Sequence, residues 1–330
     1  MSESYTNHLC VHQYPRTLNL PICGYRVTPE IVHRHPNTGA EVRAVVDGQH
    51  YVKTGPFDLV VWEYMVYGQL QLEGDFPLIC ERLVDCGSGS GKAALLLHRV
   101  STFSVLFKNY VAQGSPPIPY DFTAWCAKSL IILMQKMHRN NVLHCDIHPG
   151  NAGLTPCDSL GVLVAPLTAD TAESTHPTFI DFGWSQMGGF HPRAGDDNSV
   201  VCWAYASDRM LGHGYPYTRA DDMAALAYLL LAVRLMGHPP WFDELLSQDL
   251  SEDREAIIAT RARVIGELRA QKTVEDHLLD FVSYATSLAP DDPELFIDYH
   301  RWACHFDEAI RWEPVSDEDQ ILRRPVFHMS

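Results

Sequence analysis

Positive charge is scarce in this chain. Its 330 residues carry 25 Lys and Arg against 41 Asp and Glu, a formal net charge of -16, and no local basic patch offsets it. A surface of that sign repels a phosphate backbone and an anionic bilayer, so neither nucleic acid nor membrane is expected as a partner. Long apolar runs are missing too. The longest, residues 223–236, is interrupted by Arg234 and falls short of the roughly 20 residues a bilayer span needs. Residues 1–7 are polar and lack the basic-then-apolar order of a secretory leader. A soluble intracellular protein, cytoplasmic or nuclear, is the expectation. The nine cysteines (Cys10, Cys23, Cys80, Cys86, Cys126, Cys145, Cys157, Cys202, Cys304) form no C-x-x-C pair, which argues against a disulfide framework and a thiolate zinc site. His8, Cys10 and His12 likewise lack a fourth ligand at finger spacing. No internal repeat is visible.

What is present reads as short strands followed by helices. Residues 40–46 are partly alternating and rich in β-branched side chains. Asp47 and Gly48 form a primed hairpin turn, and 49–53 resume an extended pattern. An apolar segment, 57–70, reads as a helix. Residues 77–84 and 93–97 read as a further hairpin, whose turn is the glycine run from Gly87 to Gly91. That run mimics a phosphate loop, but Cys86 and Ala93 stand where G-x-x-x-x-G-K-[ST] needs Gly and Ser or Thr. Next come a strand and hinge at 95–101, and a helix capped by Asp121 whose apolar positions Phe122, Trp125, Cys126, Leu130, Leu133, Met134 and Met137 recur at helical spacing. A hairpin of 161–164 with 178–180 is expected. Beyond it, Asp221 and Asp222 cap a helix over 223–236, apolar on nearly every face and stopped by Gly237. Amphipathic helices over 254–268, 278–287 and 295–310 complete the reading. Residues 1–21 form an N-terminal extension and 313–330 a tail.

The chemistry concentrates between residues 142 and 183. His144-Cys145-Asp146-Ile147-His148-Pro149-Gly150-Asn151 spells H-x-D-x-x-x-x-N, and Asp181-Phe182-Gly183 follows after a polar insertion. The ordered pair resembles the protein kinase signature set. With Trp203-Ala204-Tyr205-Ala206-Ser207, the stretch Arg219 through Tyr228 and Pro240-Trp241, residues 40 to 312 resemble the casein kinase one group, which includes the vaccinia-related kinases.

That resemblance implies an α+β, two-lobed fold: a small antiparallel sheet with one helix over about 22–97, a hinge at about 98–101, and a mainly helical lobe over about 102–312. It implies a serine/threonine protein kinase using ATP and Mg²⁺, with Asp146 as catalytic base and Asn151 and Asp181 as metal ligands. Lys53 pairs with phosphates, Glu63 fixes Lys53 (Glu73 and Glu81 are fallbacks), and backbone groups of His98, Arg99 and Val100 face the adenine. Asp222 anchors the catalytic loop, while His144 is structural rather than a base.

Three departures leave alternatives open. No G-x-G-x-x-G precedes Lys53; Gly39 stands alone there, with Arg34 and His35 to replace amides by side chains. Cys145 stands where many kinases have arginine. His148, a cofactor-binding candidate, stands where serine/threonine kinases place a lysine near the γ-phosphate, and it makes the string Asp146 to Asn151 similar to aminoglycoside and choline phosphotransferases. The alternatives are therefore a pseudokinase that binds partners and a small-molecule phosphotransferase. The partner implied by the first reading is a protein bearing Ser or Thr, favoured if basic by the acidic net charge; oligomeric state is left open.

Overall fold

Alternation and a tight turn begin the sheet. In the computed structural model, which describes residues 21–22, 25–34, 39–72, 76–77, 79–85, 91–156, 168, 174–190, 202–211, 216–248, 253–289 and 296–311, the chain opens with strands β1 (Pro21–Ile22), β2 (Tyr25–Arg34), β3 (Glu41–Val45) and β4 (His50–Pro56). The turn expected at Asp47 and Gly48 joins β3 to β4, with Gly48 at φ 74°. Helix α1 (Phe57–Gln71) follows, then β5 (Cys80–Asp85) and β6 (Lys92–His98). All pairings are antiparallel, in the order β1-β2-β3-β4-β6-β5. The turn expected between β5 and β6 falls on 86–90, outside the described residues.

Helices dominate the rest. Strand β7 (Ser101–Thr102) leads into α2 (Phe103–Ala112), and α3 (Tyr120–Arg139) into β8 (Val142–Leu143). After β9 (Ala152–Thr155), β10 (His176–Phe179), a 3₁₀ turn at Phe182–Trp184 and β11 (Gln186–Met187) come α4 (Arg219–Arg234), α5 (Trp241–Ser247), α6 (Arg254–Gln271), α7 (Asp276–Ser287) and α8 (Tyr299–Glu308). The protein is α+β, with eight α-helices among the described residues, none long and apolar enough to cross a membrane. Helix α4 is the hub: every residue from Ala220 to Val233 is buried, as its all-round apolarity requires.

Several local expectations are corrected. Pro119, not Asp121, caps α3, and the Asp121 carboxylate instead accepts from the Arg311 amide. Helix α4 starts at Arg219, four residues early. Thr218 is its cap, boxed with Asp221, which frees Asp222 for another task. The strand paired with β10 is β9, immediately after Asn151; 161–164 lie outside the described residues. Helix α8 begins at Tyr299 rather than 295, because the Asp298 carboxylate accepts from Arg301 N–H and fixes the start there.

Candidate active site

Two loops meet against α1 and β4. The first follows β8 and carries His144 to Asn151. Its backbone is held from below by Asp222, which is fully buried in the first turn of α4. One Asp222 oxygen accepts from the His144 amide (2.9 Å) and from His138 Nε2 (3.0 Å), the other from the Cys145 amide (3.1 Å). Burial would raise this carboxyl; those donors hold it below its ordinary value. Cys145 sits at φ 65°, a left-handed conformation costly for a side chain with a Cβ, and its amide bond to Asp222 secures it. Asn151 Nδ2 then donates to both the backbone carbonyl (3.0 Å) and the carboxylate (2.8 Å) of Asp146. The five-residue spacing thus folds the loop back on itself.

Within that loop His148 Nδ1 accepts from the Gly150 amide at 3.0 Å, which leaves Nε2 as the protonated nitrogen, 3.6 Å from Asp146 Oδ2. Burial would lower the His148 pKa, but Asp146 outweighs it and the net direction is upward. A Cβ on Gly150 would lie 2.7 Å from the imidazole, so glycine here is what leaves room for the ring.

The second loop follows β10. Asp181 is also left-handed, at φ 62°. Its amide donates to the Tyr67 hydroxyl (3.2 Å), and the Gly183 amide points at its Oδ1 (3.4 Å). Lys53 Nζ, from the middle of β4, donates to Asp181 Oδ1 and to Glu63 Oε2, both at 2.7 Å. Burial acts against the Lys53 charge, yet the Asp181 and Glu63 carboxylates hold its pKa above the usual lysine range. For Asp181, burial raises and Lys53 lowers, and the net result is a carboxylate well below its usual range. Burial pushes Glu63 up to about 7, with Lys53 pulling against it.

The structure therefore brings together Lys53, Glu63 and Asp181 in one ion-pair chain, and Asp146, Asn151 and His148 in one loop. The fallback Glu81 lies on β5 and pairs with His50 and His98 instead; Glu73 is outside the described residues, as are Arg34's neighbour His35 and the rest of 35–38. His144 is buried, its Nε2 on the Ile180 carbonyl (3.1 Å) and its ring 4.8 Å from Phe182, in keeping with a structural role. In the stretch expected to face the adenine, His98 N–H donates to Ile79 O (2.7 Å) and Arg99 N–H to Gln49 O (2.8 Å), so a base there has to displace one of these or meet another backbone group.

One residue was not anticipated. His33 on β2 pairs in register with Val42, which pairs with Lys53, so all three side chains stand on one face. Partial shielding lowers the His33 pKa, with Lys53 and His148 pushing the same way and Asp181 opposing. Only the strand register reveals this; no motif marks the histidine. Compared with known proteins, the chain matches no family model and no curated protein.

Proposed function

We propose that the protein is an ATP-dependent serine/threonine protein kinase with a two-lobed kinase-like fold. The observation that carries the reading is the Lys53 ammonium bridging Glu63 and Asp181, next to a loop in which Asn151 grips Asp146. A six-stranded antiparallel sheet with one helix threaded between β4 and β5, followed by a helical body, supports the fold assignment.

The donor set fits a magnesium ion. The bonds above use Asp181 Oδ1 and Asn151 Nδ2, leaving Asp181 Oδ2 and Asn151 Oδ1, two hard oxygens of the kind Mg²⁺ selects. When bound, Mg²⁺ and ATP supply the transferable phosphoryl group and neutralise its charge. The protein's own residues position and accept. Lys53, kept cationic by two carboxylates, holds phosphate oxygens. Asp146 accepts the proton of the substrate hydroxyl, and its orientation is fixed by Asn151. His148, with its proton on Nε2, faces Asp146 and adds a polar donor beside the base. Such a site works by positioning and electrostatics rather than by covalent chemistry.

A second reading, a pseudokinase that binds partners, is favoured by the engaged His98 and Arg99 amides. One assay separates the readings. Purified protein with labelled ATP and Mg²⁺ is offered casein, basic and acidic peptides, and small alcohols, beside an Asp146→Asn control. Label on Ser or Thr of protein, faster on basic peptides and at least 100-fold reduced in the control, is the expected outcome. Label on small alcohols alone moves the assignment to a small-molecule phosphotransferase, and none anywhere to the pseudokinase.

A further inference from the structure

Three neighbouring strands bring two imidazoles and a carboxylate to a single point on the sheet, away from Lys53. Side chains alternate along β4, so His50 shares a face with Val52 and not with Lys53. Val52 pairs with Leu96 and His50 with His98, which places both histidines on the face of the small separate cluster of Val27, Val45, Val52, Ala94 and Leu96. Glu81, at the irregularity in β5, reaches the same point. Its Oε1 lies 2.9 Å from His50 Nε2 and 3.3 Å from His98 Nε2, and all three ligand atoms fall within 4.8 Å of one another.

We propose that His50 Nε2, Glu81 Oε1 and His98 Nε2 bind a zinc ion, with water completing a tetrahedron. Tetrahedral zinc with ligands at about 2.0–2.1 Å sets its donor atoms about 3.4 Å apart, so closing this set requires shifts of only tenths of an ångström to about an ångström. The outer arrangement also fits. Asp47 Oδ2 accepts from His50 Nδ1 at 2.7 Å, the carboxylate-to-histidine contact that orients a ligand ring and raises its basicity. Asp47 itself is fixed by the amides of Gln49 and His50. Charge balances: two carboxylates and two neutral imidazoles around a dication sum to zero.

A metal-free ion pair accounts for less of this. An imidazolium at His50, held between Asp47 and Glu81, leaves His98 Nε2 buried and 3.3 Å from Glu81 Oε1, a contact that is not a hydrogen bond. The other charged group at hand is Arg99, whose guanidinium donates to the Gly48 carbonyl and whose repulsion the two carboxylates offset. The mixed nitrogen and oxygen donor set favours zinc over magnesium. Nothing in the proposal depends on phosphoryl transfer, and either can fail alone.

The test titrates Co²⁺, then Zn²⁺, into chelator-stripped full-length protein in excess Mg²⁺, comparing wild type with His50→Gln/His98→Gln. The expected result is one more Co²⁺ per wild-type chain than per variant chain, with visible absorption of tetrahedral cobalt that Zn²⁺ abolishes. Asp47→Asn weakens that site at least tenfold. Circular dichroism checks folding; if the double variant unfolds, Glu81→Gln provides the same subtraction with a near-isosteric side chain. Equal metal stoichiometry and affinity in wild type and folded variant would overturn the proposal.

Discussion

One ammonium at Lys53 faces two carboxylates, Glu63 buried and Asp181 partly exposed, and it cannot neutralise both. Asp181 keeps its charge, helped by the Gly183 amide, so Glu63, 1% exposed, is the group that gives way and rises to about 7. In the unfolded chain Glu63 titrates near its ordinary value of 4.5. Between those two values the folded state keeps a proton that the unfolded state has released, so this group's contribution is present below about pH 4.5 and is lost as pH rises towards 7. The loss is on the order of 1–3 kcal/mol. Glu63→Gln is therefore expected to gain stability relative to wild type as pH is raised across that window, read from urea unfolding at pH 4.5 to 8. A constant difference at every pH would mean that Glu63 is fully ionised throughout. The pairing itself was expected from the resemblance, which implies Glu63 as the partner of Lys53. The crowding was not, since it depends on Asp181, 128 residues away. His33 was hidden for the same reason: it arrives across two strands of register, which a linear pattern does not display.

At the scale of elements, long periodic segments gave themselves away and short tertiary contacts did not. Helices α1, α3, α4, α6 and α7 lie close to where their apolar spacing placed them. Caps were misplaced where the more suggestive residue had another occupation: Asp121 serves Arg311, and Asp222 serves the His144 and Cys145 amides. Strand β9 was missed because four residues, Ala152 to Thr155, have no room to show alternation, and because its partners β7 and β10 are short as well. Its position rests on Gly153. A Cβ there would lie 2.3 Å from the Ser101 carbonyl oxygen and 2.7 Å from Thr102 Cα, backbone atoms that cannot swing aside. Gly153→Ala is expected to destabilise by about 3 kcal/mol or more, the upper end of overpacking, measured as a shift in denaturant midpoint at unchanged slope. Because β9 begins right after Asn151, the same change should weaken nucleotide binding in the fraction that stays folded. A shift under about 0.5 kcal/mol would show that β7 and β9 can separate freely.

Among the described residues one main core runs from Val60 in α1 to Phe306 in α8, and the sheet's opposite face holds a small second cluster. The link between α1 and the helical body is narrow and aromatic. Phe182, fully buried, packs edge-on to Tyr67 at 5.1 Å and to Phe76 at 6.1 Å, and tilts against His144 at 4.8 Å. Trp62 adds one bond from Nε1 to Ser185. The same ring therefore ties α1, which carries Glu63, to both loops that carry Asp146 and Asp181. With that ring in place, unfolding should be one cooperative transition. Phe182→Ala removes the shared partner and is expected to cost about 3–5 kcal/mol. The loss falls on one junction, so the sheet with α1 should then melt ahead of the helices, splitting the transition in calorimetry and separating the near-ultraviolet from the far-ultraviolet signal. A single transition merely shifted to lower temperature would place the coupling elsewhere in the core, and Trp62→Phe, which removes the hydrogen bonding to Ser185 together with part of a buried ring, would then be the next variant to melt.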